Sequence, residues 1–313
     1  METPLYFLIF VLSGLLTYFI QKIFVYYKRF DDFNHRSSHT TLATRTGGIS
    51  VFITLLSASL YFYFNSIELF DYSLFIPIGV MFVVGVYDDF YNADFKLKFL
   101  LQIIVAKIII DQGFVITNYH GLFGLYEVPW ILAQLTTVFV FLVIINAINF
   151  IDGIDGLAIT EIIKSVMLIE FFSASNTPLK PLGSMLVLSL LPLYYFNFKK
   201  TKKVFLGDSG SLLLGTIISI YIFYVLGNEY QFKPSFQLNK VFFSVMVILY
   251  PLTDLLRVFV LRKKRGKSPF EADQNHLHHL LLKKVNLQIL VTVIIASCSI
   301  CLFILVKFLT IKA

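Results

Sequence analysis

The chain has 313 residues, of which 57% are hydrophobic and 14% charged, with a net charge of +7 and a mean hydropathy of +0.78. A soluble globular domain carries about 25% charged residues, so this composition excludes an ordinary soluble enzyme. With no nucleic-acid motif present, the positive charge points to anionic lipid heads or phosphorylated substrates.

Apolar runs long enough to cross a bilayer recur at 4–27, 48–64, 72–87, 97–111, 129–146, 157–173, 178–198, 211–227, 239–261 and 287–307. The first run is too long for a signal-peptide core and is read as a membrane span. The expected fold is an all-α polytopic membrane protein of about ten spans, forming one domain over 1–313. Connections 28–47, 88–98, 199–210 and 262–286 hold most of the 26 Lys/Arg, whereas the opposite connections hold only Lys233. By the positive-inside rule the basic connections face the cytoplasm and both termini face outward. Cys298 and Cys301 lie in the last apolar run and read as small helix residues. The segment from Gln112 to Pro129 alternates Gly and Tyr with apolar residues, which suggests a short hairpin.

The first basic connection, KRFDDFNHRSSHTTLATRTGG, offers His35, Arg36, His39 and Arg45 beside hydroxyls and ends at Gly47 and Gly48. Such a connection suits phosphate at a helix start, and it is equally an ordinary juxtamembrane anchor. Next, Asp88 and Asp89 close a span otherwise free of charge, with Lys96 and Lys98 following. Adjacent carboxylates repel unless a cation or proton is shared, and carboxylates beside lysines fit phosphoryl transfer; a solvated helix cap is the alternative.

The densest polar stretch is NAINFIDGIDGL, 146–157. Asn146, Asn149, Asp152 and Asp155 recur every three residues and, on a helix, spiral slowly along one side. Gly153 and Gly156 remove bulk beside the two carboxylates. Oxygen donors of this kind suit Mg²⁺, which takes few protein groups and fills its shell with water and phosphate. Further on, KKTKKVFLGDSGS places Asp208 at the opening of a helix, as a metal ligand, an N-cap or both. The last connection, RKKRGKSPFEADQNHLHHLLLKK, groups His276, His278 and His279. Its spacing lacks HExxH and a Cys partner, so phosphate or sugar contact is preferred to zinc. Asp254 and Arg257 are spaced for an ion pair within one helix.

In order along the chain, the DD pair with Lys96 and Gln102, NAINFIDGIDGL, FLGDSGS, PLTD (251–254) and SPFEADQNHLHHLLL together resemble the polyprenyl-phosphate N-acetylhexosamine-1-phosphate transferases of bacteria. That family includes the lipid-carrier GlcNAc-1-phosphate transferases of O-antigen, enterobacterial common antigen and teichoic acid synthesis, and the phospho-MurNAc-pentapeptide translocase of peptidoglycan. His-Leu-His-His is closer to the GlcNAc branch than to the translocase branch, which tends to have three consecutive histidines. The resemblance implies transfer of an aminosugar 1-phosphate from a UDP-N-acetylaminosugar to undecaprenyl phosphate at the cytoplasmic membrane, with release of UMP. It implies Mg²⁺, or Mn²⁺ in its place, on Asp208 and Asn149, and catalytic roles for Asp88, Asp89 and Asp152. Asp155, Gly156 and Leu157 would meet uracil. Lys96, Lys98, His276, His278 and His279 would face pyrophosphate and sugar, and Arg45 and His39 the lipid phosphate. The resemblance also admits a homodimer. Two departures stand out: Leu42, Ala43 and Thr44 replace a Pro-Thr-Pro of many relatives, and Phe90 stands where many carry Arg. A multi-span transporter of anions is the alternative from another class, but no inverted repeat shows and the charges crowd at one face.

Overall fold

The computed structural model describes residues 3–31, 42–236, 238–268 and 275–311. Backbone polar groups have no water partner in a bilayer, so apolar runs close their own hydrogen bonds as helices. A helix stands at each of the ten apolar runs. They are α1 (Thr3–Tyr26), α2 (Gly47–Phe64), α3 (Phe75–Tyr91), α4 (Phe95–Asp111), α5 (Trp130–Ile151), α6 (Leu157–Phe172), α7 (Lys180–Asn197), α8 (Gly207–Leu226), the pair α9 (Lys240–Val247) and α10 (Leu249–Lys264), and α12 (Gln288–Ile311). A short helix α11 (Leu277–Val285) precedes the last one.

Six of these helices are long and apolar enough to cross a membrane, or seven if the bent α9–α10 pair counts as one. The remaining three fall short by length or composition: α4 has 17 residues, α6 has 16, and α7 contains Lys180, Pro181, Pro192 and Asn197. The expected span over 239–261 is broken at Ile248, where α9 and α10 meet at 78°. Pro251 explains the break: it has no N–H to offer the Val247 carbonyl, which instead accepts from Ser165 Oγ at 3.2 Å.

Helix α8 is the centre of the bundle, with α2, α3, α5, α6 and α9 packed round it. Of its apolar window 94% is buried, against 22% for α1. A helix apolar on every side belongs in a core, whereas α1 shows Phe7, Leu8, Leu15, Phe19 and Ile23 on its outer face. Two glycines set how closely α2 and α3 approach α8. A Cβ on Gly48 would lie 2.1 Å from the Gly210 nitrogen, and one on Gly85 would lie 2.4 Å from the Asp208 carbonyl oxygen. Hydroxyl contacts join other helices, as Ser13 Oγ to the Ser189 carbonyl (2.6 Å) and Thr17 Oγ1 to Ser50 Oγ (2.9 Å).

The fold is not wholly helical. Strands β1 (Ala43–Arg45) and β2 (Lys203–Phe205) pair in parallel, with Thr44 opposite Val204. The Gly48 N–H continues the pairing to the Leu206 carbonyl at 2.8 Å. Segments this short carry no periodicity, and their partners lie about 160 residues apart by the printed register, so local pattern reading misses them. At the opposite end, the expected hairpin is present: Tyr119 N–H donates to the Tyr126 carbonyl (2.8 Å) and Val128 N–H to the Thr117 carbonyl (3.1 Å).

Candidate active site

The polar end of α8 gathers residues from five elements. The first N–H groups of a helix have no partner within it and carry its positive dipole end. Here Asp89, from α3, supplies the partner: its two oxygens accept from the N–H groups of Asp208 and Ser209, both at 2.9 Å. Gly207, at φ +76, allows the approach, since a Cβ there would stand 2.7 Å from Asp89 Oδ2. Arg45, at the end of β1, completes this layer, 3.5 Å from Asp89 and 2.7 Å from Asp31. Asp89 thus caps and orients α8, a role that the sequence pattern of a catalytic pair does not disclose.

Asp88 turns to the other side. Asn92 ends α3 in the left-handed conformation (φ 52), and Ala93 N–H donates to Asp88 Oδ1 at 2.7 Å. This turn brings α4 back so that Lys98 Nζ lies 2.5 Å from Asp88 and 3.1 Å from Asp208. Asn149, on the last turn of α5, donates its amide to Asp208 and to Ser211 Oγ, the latter at 2.8 Å. One turn earlier, Asn146 donates to Gln102 Oε1 at 3.0 Å. Lys96 is exposed and makes no such contact, so of the two lysines only Lys98 enters the cluster.

The two aspartates that end the central string part company. The Asp152 carboxylate makes no hydrogen bond among the described residues. Burial, and then the charges of Asp208 and Asp89, push it well above the ordinary carboxylate range. Asp155 is 4% exposed, is paired with Lys203 of β2, accepts from Thr292 Oγ1 at its carbonyl (2.9 Å), and donates its N–H to Gln288 Oε1 (2.8 Å). Gly156, at φ +74, donates to Asn197 Oδ1 at 2.5 Å, and Leu157 is fully buried. This corner therefore binds α7, β2 and α12 together, and its backbone is engaged within the fold: the Leu157 N–H meets the Ile154 carbonyl (3.4 Å) and the Gly156 carbonyl accepts from Thr160.

The histidine segment is anchored by Asp254 of α10. That carboxylate accepts from His276 Nδ1 (2.7 Å), the Leu277 N–H (2.8 Å) and Arg257 (3.0 Å). The expected ion pair with Arg257 is present, but it is one part of a larger anchor, and Arg257 also holds the Asn275 carbonyl. His276 packs edge-on against Phe150 at 5.6 Å, with the Arg262 guanidinium also over that ring. His278 is fully buried; its Nδ1 meets Tyr250 Oη at 3.0 Å, while its Nε2 has no hydrogen-bond partner among the described residues. A Cβ on Gly153 would stand 2.6 Å from that Nε2 and 3.0 Å from His279 Cε1. The histidines therefore lie directly over the central string. Burial, and then neighbouring His279, hold His278 well below the ordinary imidazole value. Among the described residues no three His, Cys, Asp or Glu side chains lie close enough together to hold a metal ion, at these histidines or at the aspartates below them. His39 lies outside the described residues.

The glycosyl transferase family 4 profile matches residues 71–226. A decaprenyl-phosphate N-acetylglucosaminephosphotransferase of Mycobacterium leprae is 30% identical over 277 residues, covering 79% of this chain and 68% of that protein. This chain belongs to glycosyl transferase family 4. A probable undecaprenyl-phosphate N-acetylglucosaminyl 1-phosphate transferase of Bacillus subtilis is 29% identical over 275 residues, 86% of this chain and 74% of its own length. An undecaprenyl-phosphate alpha-N-acetylglucosaminyl 1-phosphate transferase of Escherichia coli is 28% identical over 288 residues, 88% and 75%.

In this family 4 chain Asp88, Asp89, Asp152 and Asp208 converge with Lys98 and Arg45 as the nearby cations. The donor set is hard oxygen, and the carboxylates outnumber those two cations, which fits a divalent cation that completes its shell with phosphate and water. Asn149 presents its NH₂ to Asp208, and turning the amide by half a revolution would present its oxygen in the same place. Among the groups that shape this site, Asp31, Lys203, Asn197, Tyr250 and Gln288 were not singled out from the sequence. Each acts through a contact between distant segments, and only Lys203 had a local signal, its lysine cluster.

Proposed function

We propose that this protein transfers GlcNAc-1-phosphate from UDP-GlcNAc to undecaprenyl phosphate in the bacterial cytoplasmic membrane, releasing UMP. The observation that carries this reading is the convergence of Asp88, Lys98, Asn149 and Asp208 at the polar end of a buried apolar helix. Charged groups largely buried together at a helix end are costly to desolvate, and such clusters concentrate at functional sites. The names of the relatives supply the sugar and the lipid.

In the proposed reaction a lipid phosphate oxygen attacks the β-phosphorus of UDP-GlcNAc. The new P–O bond joins lipid and sugar phosphates, and the bond to the α-phosphate breaks, releasing UMP. A phosphate monoester has a second pKa near 6, so about neutral pH the nucleophile is largely dianionic and needs little help from a base. The larger task is charge. Lys98 stands between Asp88 and Asp208 and would exchange one carboxylate for a donor phosphate oxygen. Arg45 would meet the acceptor phosphate, and His278 and His279 the sugar-phosphate side over Gly153. The segment Asp155, Gly156 and Leu157, held by Lys203 and Asn197, would border the uracil site. When bound on Asp208 and Asn149, Mg²⁺ would neutralise charge on the diphosphate.

The proposed topology has ten spans, both termini outside and the α8 N-terminus at the cytoplasmic face. The short helices support it. Helix α4 begins with Lys98 near Asp208, and past its far end His120 Nε2 lies 2.8 Å from the Leu226 carbonyl, at the other end of α8. Helices α6 and α7 likewise run from the β2 end to the Tyr221–Tyr230 end. The test is purified protein, radiolabelled UDP-GlcNAc and undecaprenyl phosphate. UMP and a GlcNAc-bearing lipid diphosphate should form together, and neither should form without the lipid. Absence of both, in protein that still binds UDP-sugar, would overturn the proposal.

A further inference from the structure

A polar cavity of about 340 Å³ shares Arg45 and Asp89 with the cluster. It is lined by Phe24, Lys28, Arg29, Arg45, Asp89 and Phe90, among others. Its carboxylates are already engaged: Asp89 on the α8 amides, and Asp31 with Arg45. Lys28 and Arg29, by contrast, have no carboxylate within 4.0 Å among the described residues. The cavity therefore offers two uncompensated cations next to Arg45.

The backbone here is unusual. Helix α1 ends in a Schellman turn, with Arg29 N–H on the Phe24 carbonyl (2.8 Å) and Lys28 N–H on the Val25 carbonyl (3.1 Å). The residue at the left-handed position is Lys28, at φ 54, where glycine is the usual occupant. The chain bears that strain and keeps a lysine side chain at the cavity. Next in the chain to the lining residues Lys28 and Phe90, Tyr26 (80% exposed), Tyr27 (68%) and Tyr91 (72%) are turned outward, as expected of aromatic residues where lipid head groups lie.

We propose that Lys28 and Arg29 form a docking site for the phosphate of a lipid acceptor, delivering it toward Arg45 and the cluster beyond Asp89. The lining rings Phe24, Phe30 and Phe90, the exposed tyrosines beside them in the chain and the position at a helix end favour a lipid-borne phosphate over a soluble one. The proposal rests on the acceptor reading above. Guanidinium and ammonium groups suit phosphate, and their exposed position lets them release it again.

The experiment uses full-length protein in nanodiscs and measures binding of undecaprenyl phosphate, undecaprenol and inorganic phosphate, alongside initial rates. Wild type should prefer undecaprenyl phosphate to undecaprenol, and the double variant Lys28→Gln/Arg29→Gln should lose about tenfold of that preference, as expected for one or two charge-assisted hydrogen bonds. In rate assays its KM for undecaprenyl phosphate should rise while the KM for UDP-GlcNAc stays within about twofold, a smaller effect than one such bond. The charge-keeping Lys28→Arg/Arg29→Lys should behave as wild type. An unchanged preference in the Gln variant overturns the proposal, as does a rise in the UDP-GlcNAc KM alone, which would give the cavity to the donor. Equal competition by inorganic phosphate at the same concentration would give it to a soluble anion. If wild type binds undecaprenyl phosphate by this criterion but releases no UMP, the transferase reading fails while the docking site stands.

Discussion

Asp88 and Asp89 are adjacent in sequence, yet their surroundings assign them different work. Asp89→Asn would set an amide NH₂ against one of the two α8 N–H groups. An unsatisfied buried donor costs about 1–3 kcal/mol, so thermal stability should fall measurably, with activity falling as a consequence of a displaced Asp208. Asp88→Asn leaves the α8 cap intact and loosens Lys98. Its melting temperature should stay near wild type while kcat drops. Equal melting temperatures for the two variants would remove the cap role from Asp89. Asp208→Asn tests the centre of the cluster: a folded protein should remain, with turnover reduced by about 10²–10³-fold if electrostatic stabilisation of the transferring phosphate is lost. Wild-type UMP release at saturating Mg²⁺ would exclude Asp208 from the mechanism. The sequence disclosed these carboxylates because charge at the end of an apolar run is rare. It did not disclose which oxygen faces which amide, since that depends on the α3–α8 crossing at Gly85.

At the scale of elements, the histidine segment is a motif whose members the fold sets to different work. His276 is bound to Asp254 and holds the segment, while His278 and His279 lie over Gly153. No local pattern separates a structural imidazole from its neighbours two residues on, because the difference is made by α10, 22 residues earlier. Gly153→Ala should therefore displace His278 and His279 and lower kcat, with the Asp254–His276 anchor and overall fold retained. Full activity in Gly153→Ala would show that the imidazoles need not sit there. The same segment should respond to acid. His278 has a folded-state value well below its ordinary 6.5, so its neutral form favours docking. That contribution is fully present above pH 6.5 and is lost as pH falls through the depressed folded value. Hydrogen exchange over residues 275–285 should thus quicken on going from neutral to acidic pH, and His278→Gln should flatten the change. Exchange equally slow at both pH values would show that protonation of His278 does not loosen this segment.

At the scale of the whole molecule, the apolar runs made the ten helical segments legible, because a bilayer leaves the backbone few alternatives. What the runs could not give was the 78° break at Ile248, the β1–β2 pairing, or the question of whether the shorter helices cross. Helix α4 is where that question can be tested. Its 17 residues span about 25 Å at 1.5 Å per residue, somewhat less than a hydrocarbon core of about 30 Å. Its first turn meets the start of α8 through Lys98, and the connection past its far end meets the other end of α8 through His120, so the pair should cross together, with snorkelling Lys96 and Lys107 making up the difference. The test is a set of single cysteines in a background where Cys298 and Cys301 are replaced by serine. Cysteines at Lys96 and Ser268 should react with an impermeant maleimide only from the cytoplasmic side, and those at Glu127 and Asn228 only from outside; all four positions are exposed. Labelling of Lys96 and Glu127 positions from one side would show that α4 is re-entrant. Reversal of all four would keep the bundle and place the Asp208 cluster outside, away from any cytosolic nucleotide sugar, so that the proposed donor could not reach it.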